Sequence, residues 1–282
     1  MKKNIHLFLL IIMLCFILSP MIVLSEKTSN EIPGVVCTTS VLSYLTQEIG
    51  QEAIVVTTIA PAGMCPAHFD IKPSQIQAVR EAKILISHNF EPWIENLINA
   101  SDNTAIERLI LSGPWNTPES AIEKIGLISS ILVKRFPEDE QYFNLNAQKL
   151  IQSVRLEAEK IKNKSNEFNV SQFKVISSFH QASFVEWLGF QSVTTYPSPE
   201  TISTKQYLEL LLVGKKENPA FIVDNLQSGT DFGAKMASDL HANHVVLTNF
   251  PGLVPQTESL SAMLSYNAEQ LFKAIQERTN HD

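Results

Sequence analysis

Positive charge is scarce in this chain: 22 Lys and Arg stand against 29 Asp and Glu, a formal net charge of −7. Such a balance argues against nucleic acid as a partner, since affinity for phosphate backbones comes from clustered basic residues. Charged residues in total make up only 18% of the sequence and hydrophobic ones 44%, so disorder is excluded and one large core or two medium ones can be buried. No His-Glu-x-x-His helix, Gly-x-Ser-x-Gly turn or glycine-rich phosphate loop is present, which removes the commonest routes to a zinc protease, a serine hydrolase or a nucleotide enzyme. Low-complexity tracts, residue-level repeats and flexible Gly/Ser linkers are absent too.

Cysteine is also rare, with three in all. Cys15 lies in the apolar stretch Ile5 to Leu24, which follows Met1-Lys2-Lys3-Asn4 and ends in Val23-Leu24-Ser25. That order of basic start, apolar run and compact residues reads as an export signal over residues 1–25, cleaved after Ser25, although the run is long enough to stay as an uncleaved membrane anchor. Ile12-Met13-Leu14 before Cys15 offers no small residue for a lipid-attachment signal. Cleavage would remove Lys2 and Lys3 and no acid, taking the net charge from −7 to −9. Cys37 and Cys65 would then meet an oxidising compartment, where a bridge between them competes with any role in metal binding.

From Val35 to Gly113 strands and helices alternate: strands at 35–38, 53–59, 83–87 and 106–111, helices near 40–50, 74–82 and 91–99. A helix from Pro118, with Thr117 as its cap, runs to about Arg135. Residues 138 to about 166 place Phe143, Ala147, Leu150, Val154, Ala158 and Ile161 on one stripe without Pro or Gly, predicting one helix of roughly 40 Å that serves either as a strut between lobes or as a long packing helix. The alternation restarts with strands at 174–178, 192–196, 220–223 and 244–247 and helices near 180–189, 203–217, 230–240 and 258–278. The fold class is therefore α/β: two lobes, each a mainly parallel sheet flanked by helices, over 34–137 and 169–282, joined by one long rigid helix at 138–168.

The stiff loop Pro61-Ala62-Gly63-Met64-Cys65-Pro66-Ala67-His68 leaves the C-terminal end of the second strand, where open α/β sheets bind ligands. Cys65 and His68 offer a thiolate and an imidazole, common ligands of a borderline-soft metal. Ala67 stands where a c-type haem site needs a second cysteine. A buried thiol and a backbone-bonded histidine would give the same four residues.

The run Val36 to Leu45, the loop Pro61 to Pro73 with its histidine, Glu91-Pro92-Trp93 and the closing Leu264-Ser265-Tyr266-Asn267 together resemble the zinc and manganese substrate-binding proteins of ABC transporters. The resemblance covers nearly everything after the first segment. It implies an exported, periplasmic or extracellular monomer that is not an enzyme, holds a divalent metal between its lobes and hands it to a membrane permease. Four strand-end loops usually supply three histidines and a carboxylate, or two of each.

Two positions carry over: His68 after the second strand, and His180 after Val175-Ile176-Ser177-Ser178-Phe179. Two depart. The loop Ser112-Gly113-Pro114-Trp115-Asn116-Thr117-Pro118 has no histidine, and Thr248, Asn249 and Phe250 stand where a carboxylate is due. His88, closing the third strand, and Cys65 are the substitutes, giving an expected set of Cys65, His68, His88 and His180. Its softness favours zinc, with manganese and copper(I) as alternatives. Asp70, Asp224 and Asn249 are candidate supporting groups or alternative ligands, though caps and turns suit the acids equally. His6, His241, His244 and His281 receive no metal role, and Trp93, Trp115 and Trp187 are read as packing. Loss of two donors leaves open a metal chelate or small organic ligand as the cargo; a zinc hydrolase is the weaker alternative.

Overall fold

The computed structural model describes residues 32–64 and 69–280. Its first sheet holds β1 (Gly34–Thr39), β2 (Val55–Ala60), β3 (Ile84–Ser87) and β4 (Glu107–Ile110) in the order β2-β1-β3-β4. The second holds β5 (Lys174–Ser178), β6 (Gln191–Tyr196), β7 (Phe221–Asn225) and β8 (Asn243–Leu247) in the order β6-β5-β7-β8, so the two halves share one topology. Every pairing is parallel. In each sheet the order reverses direction beside the first strand, the kind of switch point at which ligands settle outside the strands' carboxyl ends.

The helices between the strands are α1 (Ser40–Gly50), α2 (Pro73–Glu81), α3 (Ile94–Ser101) and α4 (Pro118–Arg135), then α5 (Glu140–Glu167), α6 (Ala182–Leu188), α7 (Thr204–Glu217), α8 (Asp231–Leu240) and α9 (Leu260–Thr279). Thr117 caps α4 as expected, its hydroxyl accepting from the Ser120 amide. Gly189 ends α6 with φ 107°, a left-handed position that a side chain would strain.

Alternation along the strands decides which side each residue serves. Val35, Cys37, Ile84 and Ile86 point to an inner core, while Val36 and Leu85 join Ile59, Val79 and Leu97 on the outer face under α2 and α3. The second sheet repeats this: Val175, Phe221 and Val223 face inward, and Ile176 and Ile222 pack outward with Met236 of α8. The inner core is continuous from one sheet to the other. Helix α5, 28 residues and roughly 42 Å long, runs through it, burying Phe143, Ala147, Leu150, Val154 and Ile161 against α1, α4 and α9. It is thus packed along its length and does not span open space between the sheets.

Two helices begin later than periodicity predicts. Helix α3 starts at Ile94, because the Glu91 carboxylate turns inward and accepts from the His88 amide at 3.0 Å and the Thr38 hydroxyl at 2.5 Å, fixing 88–93 as a loop. Phe179–Gln181 forms a tight turn ahead of α6, with the His180 carbonyl accepting from side chains of two other loops.

Candidate metal centre at the strand ends

The carboxyl ends of both sheets open onto a cleft of about 380 Å³. Asn89, Phe90 and Gly113 to Asn116 line it from the first lobe; Phe179, His180, Ala182, Ser183 and Asn249 line it from the second. Its floor is a lattice of buried amides. The Asn116 side chain donates to the His180 carbonyl at 3.0 Å and to Asn249 Oδ1 at 3.1 Å. Gln181 Nε2 donates to the same Asn249 oxygen and to Asn225 Oδ1, both at 3.0 Å, and Asn249 Nδ2 donates to the His180 carbonyl at 3.1 Å. Trp115 Nε1 closes the span by donating to the Asn249 carbonyl at 2.8 Å, and its ring stacks on Phe250. Buried amides must find partners, and here they find each other across the two lobes.

His180 is therefore held by its backbone while its imidazole stays exposed in the cleft. The Phe179 ring meets it edge-on, and Ser198 Oγ lies 3.5 Å from Nε2. Desolvation by the cleft walls lowers the imidazole pKa, keeping it neutral and able to coordinate, while the Glu200 carboxylate pulls the other way.

His88 sits differently. It is 2% exposed, with Nδ1 donating to the Leu111 carbonyl and Nε2 bonded to the Thr39 hydroxyl, both at 3.1 Å. Phe90 stacks on the ring at 4.9 Å and Trp115 packs on it at 4.5 Å. Burial, helped by the nearby Lys124 charge, pushes its pKa down to about 4 against the opposing bond to Leu111. Expected as a ligand, it has no free ring nitrogen, and a ligand role would require breaking its bond to Thr39. Lys124, itself buried, fixes the adjoining loop by donating to the Ser112 carbonyl at 2.8 Å.

The supporting candidates are also placed. Asn249 spends both side-chain atoms on the lattice. Asp224 lies within β7, 1% exposed, its carboxylate accepting from the Tyr196 hydroxyl and paired with His244 Nε2 at 2.7 Å, so it does not face the cleft. A Cβ at Gly233 would come within 2.1 Å of that carboxylate, which accounts for the glycine in α8. Asp70 is exposed next to the buried Phe69. Cys37 is a free, buried thiol bonded to Thr46, its pKa pushed up to about 12 by desolvation. Cys65 and His68 lie outside the described residues, as do His6, His281 and the first 31 residues. Among the described residues no cluster of three or more His, Cys, Asp or Glu is arranged to hold a metal.

Sequence reasoning missed the lattice and the clasp that Thr38 and Thr39 place on Glu91 and His88. The available signal was the run of amides, Asn116, Gln181, Asn225 and Asn249, at successive strand ends. Glu91 Oε2 is buried and has no partner among the described residues, which leaves the clasp's carboxyl group half-satisfied.

Similarity to known proteins agrees with this architecture. A curated Treponema pallidum (strain Nichols) protein described as metal-binding is 31% identical over 87 residues, 30% of this chain, and the match spans only 28% of that relative's length. The Mn-bound periplasmic metal binding protein of Candidatus Liberibacter asiaticus superposes with a TM-score of 0.76 at 15% identity, covering 86% of this chain and 99% of that one. A mutant of the laminin-binding adhesin of Streptococcus agalactiae superposes at 0.73 with 17% identity, covering 86% and 98%. At those identities the superpositions establish the fold alone. The family described as zinc-uptake complex component A, periplasmic, a family of non-enzymatic transport components, matches residues 35–274, and the chain belongs to it.

Proposed function

We propose that this chain is an extracytoplasmic binding protein that captures a divalent transition metal, zinc first, in the cleft between its sheets and delivers it to an ABC-transporter permease. The observation that carries this reading is His180: a neutral imidazole presented to a cleft at the carboxyl edges of both sheets, on a backbone pinned from both lobes. His68 and Cys65, from the loop after β2, are the proposed co-ligands, and a thiolate among them favours zinc over manganese. His88 is assigned to packing. The lobe boundaries proposed are 34–137 and 169–282, with 138–168 as the helix between, and residues 1–25 are read as the export signal.

The chelator-stripped protein is expected to take up one equivalent of zinc and to gain about 2.7 kcal/mol of stability at a hundredfold excess over Kd. His180→Ala and His68→Ala should each lose uptake while melting as the parent does. Cobalt substitution should give a sulfur-to-metal charge-transfer band that Cys65→Ser abolishes. Uptake that survives the double histidine variant rejects the site.

A further inference from the structure

An edge strand leaves half of its backbone groups without a ladder partner, and β8 is the last described strand of the second sheet. The Asn243 amide donates to the Ala220 carbonyl just ahead of β7, so Asn243, Val245 and Leu247 turn their N–H and C=O groups to β7, while His244, Val246 and Thr248 turn theirs away. At Thr248 the fold shows what that outer edge accepts. The buried Asn267 side chain of α9 accepts from the Thr248 N–H at 3.0 Å and donates to the Thr248 carbonyl at 2.8 Å, one carboxamide standing in for the backbone of a neighbouring strand. Beyond it the edge at His244 and Val246 opens onto a groove of about 490 Å³, walled on the other side by Tyr266, Gln270, Lys273 and Glu277 along one flank of α9. The usual protections of an edge are missing from this strand: Asn243–Leu247 holds no Lys, Asp, Glu or Pro, and its register against β7 is regular. By contrast, the edge strand β4 carries Glu107 and Arg108, and the ladder of the edge strand β6 with β5 has a register shift between Val175 and Ile176.

We propose that the groove between β8 and α9 takes an extended, basic peptide segment of a partner protein, rich in β-branched residues, which joins the second sheet as a fifth strand by pairing its backbone with His244 and Val246. Main-chain bonds supply the attraction, and the groove walls receive the side chains of alternate residues. The open stretch spans only about 7 Å at ~3.3 Å per residue, short for the roughly 1,200 Å² that a stable dimer through this edge would bury but enough to seat one peptide. Lys273 and Glu277, 3.8 Å apart, offset each other, and the chain's net charge of −7 then favours a basic segment. The groove shares no lining residue with the cleft, so the proposal stands apart from the metal-binding reading.

The probe is a capped peptide, acetyl-Lys-Thr-Val-Thr-Val-Lys-amide, titrated into the full chain by calorimetry and followed by amide hydrogen exchange. It should bind one to one, and the His244 and Val246 amides, fast-exchanging in the free protein, should gain protection. A version N-methylated at every residue keeps the side chains and the charge but cannot donate, and it should bind at least about tenfold more weakly. Val246→Pro removes the outward N–H at an edge position where proline is tolerated, and should cost the unmethylated peptide about tenfold as well. The exchange pattern of the parent decides the matter even if that variant folds poorly. No binding at millimolar peptide, binding indifferent to methylation, or protection elsewhere than at His244 and Val246 overturns the proposal. Concentration-dependent dimerisation that protects the same two amides would put a second copy on this edge and overturn it too.

Discussion

His88 and His180 both stand just beyond the carboxyl end of a strand, one on each lobe, and the protein treats them in opposite ways. At His88 the ring is held: both nitrogens are bonded and two aromatics cover it. At His180 the backbone is held, by two asparagines from different loops, and the ring is left to the cleft. What separates them is the neighbouring polar groups. Glu91 pulls the His88 amide inward beneath Thr38, whereas Asn116 and Asn249 grip the His180 carbonyl and thereby turn its side chain out. Position at a strand end thus does not decide whether an imidazole is sealed or open to the cleft; the local bonding does.

The largest expected effect follows directly. His88→Ala would leave the Leu111 carbonyl and Thr39 hydroxyl unpaired and open a hole beneath Trp115, costing about 4 kcal/mol in urea unfolding. His180→Ala removes an exposed ring and should stay within about 0.5 kcal/mol. Equal costs for the two would break the contrast.

Acid provides a second measure of nearly the same size. With its folded pKa near 4 and its ordinary value 6.5, His88 is neutral in the fold but charges in the unfolded chain. Its contribution is complete above pH 6.5. As pH falls from there towards 4, the unfolded state takes up a proton that the fold refuses, and stability drops by about 3 kcal/mol, at 1.36 kcal/mol per unit. Unfolding curves of the parent and of His88→Gln between pH 7 and 4 should differ by that slope. Parallel curves would mean that the His88 ring is not sealed.

How much of this was legible beforehand depended on the physics involved. The sheets were, because Val35-Val36, Ile84-Leu85-Ile86 and Phe221-Ile222-Val223 are short apolar runs that only buried parallel strands accommodate. Helix α5 was legible from its stripe, though its packing against α1, α4 and α9 could not be read from one helix alone. The fate of His88 was not, since it depends on Leu111 and Thr39, 23 and 49 residues away, and no local pattern encodes such pairings. The amide lattice was hidden for the same reason: Asn116 and Asn249 are 133 positions apart. Local periodicity reports burial, whereas polar partners are set by topology.

Trp115 belongs to both sides of the comparison, and replacing it gives a small effect and the finest discrimination. Its ring packs on His88 at 4.5 Å, and its Nε1 donates to the carbonyl of Asn249, whose side chain in turn holds the His180 backbone. Trp115→Phe keeps an aromatic face on His88 but removes the donor, leaving a buried carbonyl short of one bond. The expected loss is about 1 kcal/mol, or roughly 2–4 °C in Tm for a protein of this size. Because His88 keeps its cover, the acid slope between pH 6.5 and 4 should persist in the variant. Because the lattice loses its closing bond, zinc affinity should fall by about three- to tenfold through the loosened His180 turn. If instead the acid slope vanishes and zinc affinity holds, Trp115 serves the sealed histidine and not the open one, and the two lobes' loops are not coupled through it.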